Sequence, residues 1–308
     1  MNLGTLYLYR KNYAVVQEYT EKALHIYKIN QYHEDHRSSW FCKENMANCL
    51  LKQNKIKEAE PYFWDVFDIQ TRLGFLADCL PYVHHTISEH YIDSGEYDKA
   101  DRILTALSMC KEKRRAKTFL LLDKLDQQQP RSDVNPRPRE QTLEYGMELF
   151  PDNDSLFEHK VRVHHVARGD LTGLEELLTA RDADADTYDD VVYWCVEDDK
   201  PGIAGEVIDR ALQKFPGNQM LIGRSVCVWY SAKQFQKALT LVKQLDREGV
   251  HSDEVLLDCA QTLHQCSENE EAYQWLNKLL TSTDALSDEM KQEVDVLKEK
   301  LDAEAKLQ

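Results

Sequence analysis

The feature that most constrains the fold is an internal repeat. At six places a small or aliphatic residue is followed twelve positions later by another of its kind: Gly4/Val16, Ala47/Ala59, Ser88/Ala100, Val192/Ala204, Val226/Ala238 and Ala260/Ala272. Twelve residues is about three helical turns and a tight reversal, so each pair marks where two antiparallel helices cross closely. A bulky side chain at such a crossing would force the backbones apart. Three positions before the second member stands Tyr13, Ile56, Tyr97, Pro201, Phe235 or Asn269, aromatic or aliphatic in four of the six. Polar stretches fall at the reversals: Gln53-Asn54-Lys55, Asp93-Ser94-Gly95-Glu96 and Ser231-Ala232-Lys233-Gln234. With 11 glycines and 8 prolines in 308 residues there is little material for hairpin turns between strands. The pattern therefore predicts an all-α chain of stacked helix pairs.

On these residues the chain resembles the tetratricopeptide repeat (TPR) family. Leu3-Gly4-x-x-Tyr7 with Tyr13 and Lys22-Ala23-Leu24 is similar to its consensus, as is Ile87-Ser88-x-x-Tyr91 with Gly95-x-Tyr97-x-x-Ala100. Ala204, Ala211 and Pro216-Gly217-Asn218 match the family's second helix and its proline stop. The resemblance implies a right-handed α-α superhelix, a TPR-like solenoid of antiparallel helix pairs. Val16 and Thr20 depart from the consensus, and Arg162 falls on a small-residue position if Gly169 is the turn glycine. The stretch 155–180 is therefore expected to be a degenerate repeat.

Spacing and charge divide the chain. The second-helix markers fall 43 and 41 residues apart at Val16, Ala59 and Ala100, but 34 apart at Ala204, Ala238 and Ala272. The longer period resembles the extended repeats of kinesin light chains, with one extra turn per helix; the shorter is the ordinary TPR length. Residues 127–138, polar and carrying Pro130, Pro136 and Pro138, are the expected linker between an array at 1–126 and another at 139–308. Residues 1–130 hold 18 basic and 18 acidic side chains and residues 131–308 hold 20 and 36, so the whole formal charge of −16 lies in the second part. At the far end Leu286, Met290, Val294, Leu297 and Leu301 form one apolar stripe, expected to be a capping helix over the last repeat, with a short coiled coil as the alternative. Gly4 stands where several preceding helical residues would be expected, so the chain is read as cut from a longer array, a frayed native start being the other reading.

Several function classes fail. An acidic chain lacks the basic face that neutralises phosphates, so no direct nucleic-acid partner is expected. No run of about 18 apolar residues is present and the start has no leader pattern, so the expectation is a cytoplasmic protein without membrane insertion. The eight cysteines contain no Cys-x-x-Cys, and the pairs Cys42/Cys49 and Cys259/Cys266 are too far apart along a helix for disulfides; they read as buried thiols. His84-His85 with Glu89-His90, and His159 with His164-His165, lack His-Glu-x-x-His spacing, and His85 with Glu89 reads as an ion pair. No phosphate-binding loop, dinucleotide fingerprint or nucleophile elbow occurs, so no enzyme, cofactor or metal is expected.

A scaffold that binds a partner protein or peptide remains, with a sensor module of a larger regulator as the alternative. The resemblance implies that first helices line the groove, through Thr5, Tyr9, Phe41, Glu44, Asn45, Asn48, Lys52, Tyr82, His85 and Glu89. Asparagine amides can bond the N–H and C=O of any extended backbone, and aromatic neighbours add contact area at low entropic cost. Lys52 is the one basic residue of that set, which departs from the family's clamp for a terminal carboxylate. Asp182, Asp184, Asp186, Asp189 and Asp190 alternate like a calcium loop, but Thr187 stands where glycine must turn and Tyr193 where glutamate must chelate. They read instead as an acidic patch facing solvent or a basic partner. Self-association through an exposed terminal repeat is also expected of such an array.

Overall fold

The computed structural model describes residues 11–30, 36–129, 142–246, 249–250, 252–282 and 286–305. Thr5, Tyr9, Gly4 and the 127–138 stretch from residue 130 onward lie outside the described residues. Among those described there are sixteen α-helices and no strand. The chain forms two compact units, Met1–Phe157 and Glu158–Gln308.

In the first unit the helices are α1 (Tyr13–Ile29), α2 (Arg37–Lys52), α3 (Ile56–Leu73), α4 (Pro81–Asp93), α5 (Tyr97–Met109), α6 (Ala116–Gln128) and α7 (Leu143–Leu149). The crossing residues Ala47, Ala59, Ser88 and Ala100 are wholly or almost wholly buried, as the spacing predicts. The long period has two physical origins. Helices α2 and α3 do run to 16 and 18 residues. Helices α4 and α5 have 13 each, and the extra length of their repeat lies in connections carrying the 3-10 turns Leu76–Asp78 and Lys111–Lys113. Large side chains fill the core: Phe63 stacks on Phe67 with centroids 5.6 Å apart, and the Trp64 indole N–H donates to the Tyr91 hydroxyl at 2.8 Å.

The first unit holds one more helix pair than the repeat pattern reveals. Gly146 of α7 lies so close to α6 that a Cβ there would stand 2.6 Å from Phe119 Cβ, so only glycine permits this approach. Phe119 also meets the rings of Tyr145 and Phe150, and Leu143 and Leu156 belong to the same buried core. These contacts belong to the first compact unit, which runs to Phe157.

The second unit continues from a short helix, α8 (Asp154–His159, begun before the divide), into a π-helical stretch Lys160–Val166. Then come α9 (Leu171–Ala180), α10 (Ala185–Glu197), α11 (Pro201–Lys214), α12 (Gln219–Ser231), α13 (Phe235–Val242), α14 (Asp253–Gln265), α15 (Asn269–Ser282) and α16 (Asp288–Ala305). Val192, Ala204, Val226, Ala238, Ala260 and Ala272 are completely buried at the crossings. Helix α16 packs on α14 and α15 through buried Val294, Leu297 and Leu301, and so caps the array. A π stretch lies within the segment 155–180, with Val161 fully buried and Arg162 half-buried.

One turn geometry recurs through both units. Asn54, Gly95, Gly169, Asp199, Lys233 and Ser267 all have positive φ, between 54° and 79°. Each stands two residues before the second helix of its pair. The N–H that follows each donates back to a carbonyl of the preceding helix, as in Lys55 to Leu50, Glu96 to Tyr91, Lys200 to Cys195 and Gln234 to Trp229, all at 2.8–2.9 Å.

Candidate functional site

First helices of successive pairs pack directly on one another: α2 on α4 and α4 on α6 in the first unit, α10 on α12 and α12 on α14 in the second. Second helices pack mainly against first helices. First helices therefore stand side by side and share one face of each array.

In the first unit this face carries Phe41 and Tyr82, 38% and 49% exposed. The Arg37 guanidinium lies 5.8 Å from the Phe41 ring centroid and the Lys52 ammonium 4.6 Å from that of Tyr82. Asn48 is half-buried, and its Oδ1 is sealed from solvent without a hydrogen-bond partner. Glu89 takes an ion pair from Lys117 at 2.9 Å, and Asp93 one from Lys124 at 2.8 Å, so charges on neighbouring first helices cancel in pairs.

Two expected groove residues are corrected. Asn45 is 9% exposed, too deep for the face. His85 is 4% exposed, with Nε2 2.9 Å from the Thr118 hydroxyl; burial first, then Lys117, pushes its pKa down to about 4, so it is neutral and forms no ion pair with Glu89. Thr5 and Tyr9 lie outside the described residues.

Glu44, which the resemblance also places on that face, is a third correction. It is 3% exposed, and its Oε1 accepts the Leu80 N–H at 2.7 Å, capping the entry to α4. Burial pushes its carboxyl up to about 7 against the lowering effects of that hydrogen bond and Lys113. It therefore works as a fastener between successive pairs.

The acidic stretch of the second unit is structural in part. Asp184 caps α10, accepting from the Thr187 N–H at 2.9 Å and hydroxyl at 2.6 Å, and the hydroxyl and N–H bonds hold its pKa down. Asp189 is gripped by Arg224 through Nε at 2.8 Å and Nη2 at 3.1 Å. Asp182 lies 3.7 Å from Lys214, while Asp186 and Asp190 are exposed. Beyond it, Arg162 gathers Glu158, Glu197 and Asp198 at 2.5–3.2 Å.

Sequence reasoning overlooked the groove of the second unit. Counting back from the turn residue Ser267, as from Asn54, reaches Glu254, Asp258, Gln261 and Gln265 on α14. Those side chains line two adjoining cavities, of about 320 and 340 Å³, closed on the other side by α16.

No family model and no curated protein matches the chain. Among solved structures it is similar to YrrB, a TPR protein with an unusual peptide-binding site (10% identity over 83% of this chain and 90% of that one, TM-score 0.29). It is also similar to the TPR domain of P58(IPK) (12%, 95% and 75%, TM-score 0.26) and to the human IFIT1 dimer with PPP-AAAA (16%, 91% and 69%, TM-score 0.34). At such identities and scores these likenesses concern fold alone and add no weight; the repeated helix pair and its turn, described above, make this a TPR-like array. No helix among the described residues is long and apolar enough to cross a membrane.

Proposed function

We propose that the chain is an interaction scaffold that holds an extended or helical segment of a partner protein on its first-helix faces, and that it has no catalytic role of its own. The observation that carries this reading is the row Phe41, Asn48, Lys52 and Tyr82. Phe41 and Tyr82 are exposed rings with the Arg37 and Lys52 cations over them, which suits contact with the side chains of a partner segment. The thiols support the non-catalytic part: burial pushes Cys79 and Cys195 up to about 12, where a thiolate nucleophile is not formed at neutral pH.

The test places a photoreactive side chain at Asn48 or Tyr82, and at exposed Lys57 on the second helix α3, in native lysate. A partner adduct at the first two positions and not at Lys57 is the expected result. Adducts at Lys57 alone, or none anywhere, would sink the reading.

A further inference from the structure

The two cavities of the second unit form one trough. They share Tyr230, Gln261 and Glu293, so a chain segment lying in one passes into the other. Their linings differ. The larger share of apolar and amide groups lies toward Val296, Leu297 and Gln292 of α16. The other end brings together Glu254, Asp258, Glu289 and Glu293, from α14 and α16, with no lysine or arginine among its lining residues.

Lys300 lines only the other cavity, and Arg224, beside the carboxylate end, is already engaged. Arg224 presents Nε and Nη2 to Asp189, and reaches Glu254 only at 3.5 Å. Among the described residues Asp258, Glu289 and Glu293 form no ion pair; Glu293 accepts a hydrogen bond from the Gln261 amide at 3.0 Å, and Asp258 one from the Cys227 thiol. Like charges held this close on a half-enclosed surface repel one another, and a cation placed between them relieves that repulsion. Asp258 registers the strain: burial, with Glu254 and Glu293 adding to it, pushes its carboxyl up to about 7.

A single metal ion fits poorly. Its ligands must converge at about 2–2.6 Å from one centre, and no three of these carboxylates bring oxygens within 4.8 Å of one another. A guanidinium or ammonium on a flexible stem can instead serve several spread acceptors, while the neighbouring side chain and backbone of its own segment meet the aromatic and amide end.

Resting on the scaffold reading, and specifying its site and partner chemistry, we propose that this trough binds a basic segment of a partner protein: an arginine or lysine seated among Asp258, Glu289 and Glu293, with the adjoining residues of the segment laid over Tyr230, Gln261 and Val296. The charge difference between the two faces favours a cationic occupant here, since in the first unit Glu89 and Asp93 already have Lys117 and Lys124.

The test uses the full chain and fluorescently labelled nine-residue peptide pools whose central residue is fixed as arginine, lysine, alanine or glutamate. Binding is followed by polarisation at two salt concentrations. The arginine and lysine pools should bind at least tenfold more tightly than the alanine pool, and should weaken as salt rises. Glu289→Gln/Glu293→Gln should lose at least tenfold for those pools, while Asp295→Asn, elsewhere on α16, should change nothing. Both substituted positions are exposed, and circular dichroism of each variant checks that the helices persist. Arginine and lysine pools no tighter than alanine, or binding unmoved by the double variant, would overturn the trough while leaving the scaffold reading intact. Calcium binding lost in the double variant without any arginine preference would overturn it in favour of a cation site. Failure of every pool, together with no adduct at Asn48 or Tyr82, would instead remove the scaffold reading itself.

Discussion

The two units solve the same packing problem with different materials. The first rests on a few large side chains: Phe63, Phe67, Tyr91 and Phe119 are buried in one cluster and tied by ring contacts and the Trp64–Tyr91 hydrogen bond. The second, among the described residues, buries fewer large rings, Tyr188, Trp229 and Trp275, beside many smaller groups such as Val191, Val192, Cys195, Val226, Cys259 and Leu263. Their polar economies differ as well. The first pairs its face charges and hides a carboxyl and two imidazoles in its interior, at Glu44, His84 and His85. The second leaves carboxylates facing its groove. Regular repeats with small crossing residues can evidently be built from either stock; what changes is where loss of one side chain hurts and what the face attracts.

The sharpest way to break this contrast is to delete one large and one small core group. Phe119→Ala should cost roughly 3–5 kcal/mol, the range for buried aromatics, because Gly146, Tyr145 and Phe150 cannot close the void together. Cys195→Ala should cost about 1 kcal/mol. Hydrogen exchange read separately over α4–α7 and over α10–α12 would show each loss in its own unit. Equal losses would mean that the two cores are not built differently.

Protons give the next largest effect. Glu44 has its pKa raised from 4.5 to about 7, so the folded state holds a proton that the unfolded chain has released. Its contribution is greatest below pH 4.5 and is lost as pH rises through 7. Glu44→Gln keeps an acceptor for the Leu80 N–H and removes that loss, so at pH 8 it should stabilise the first unit by up to roughly 3 kcal/mol. His84 and His85 run the other way. Burial lowers both from 6.5 to about 4, so their contribution is complete above pH 6.5 and is lost as pH falls through 4. In the wild type the two slopes oppose each other between pH 4.5 and 6.5; in Glu44→Gln the histidine slope should stand alone. Denaturation curves across that range check it, and an unchanged pH profile in the variant would remove Glu44 from this role.

Much of the fold was legible, because a helix crossing tolerates only small residues and the sequence shows them in pairs. Three things were not. The α6–α7 pair was hidden because the proline-bearing stretch between the two helices reads as a linker, and because its crossing pairs Gly146 with the bulky Phe119. The π stretch that holds Arg162 was hidden because no residue pattern announces a π-helical turn. The site was legible only coarsely: position along a helix identifies the face but not depth, so Asn45 and His85 were placed on a surface that a neighbouring helix covers. Thr118 and Leu80, which satisfy His85 and Glu44, lie 33 and 36 residues away from them, beyond any local pattern. The groove of the second unit was overlooked for a different reason. Its register was set by the crossing pairs Val226/Ala238 and Ala260/Ala272, but the face positions were carried over only onto the first three repeats.

The shared turn gives the smallest effect, and its test bears on what the units have in common rather than on the contrast. Left-handed backbone costs an ordinary L-residue about 1 kcal/mol; glycine escapes this, and asparagine partly does. Lys233, at φ 58°, therefore carries strain that Asn54, at φ 60°, largely avoids. Lys233→Gly removes the strain but gives the unfolded chain more freedom, which offsets part of the gain. The net stabilisation should be about 0.5 kcal/mol, with Ser267→Gly close to it and Asn54→Gly near zero. Gly95→Ala should lose about 1 kcal/mol, since at φ 79° the new Cβ has open space around it and the strain is purely conformational. The midpoints of denaturant unfolding for the four variants should thus rank by the residue at the turn and not by the unit that holds it. If instead they rank by unit, the six turns are alike in hydrogen bonding but not in energy, and the first and second units differ down to their smallest repeated part.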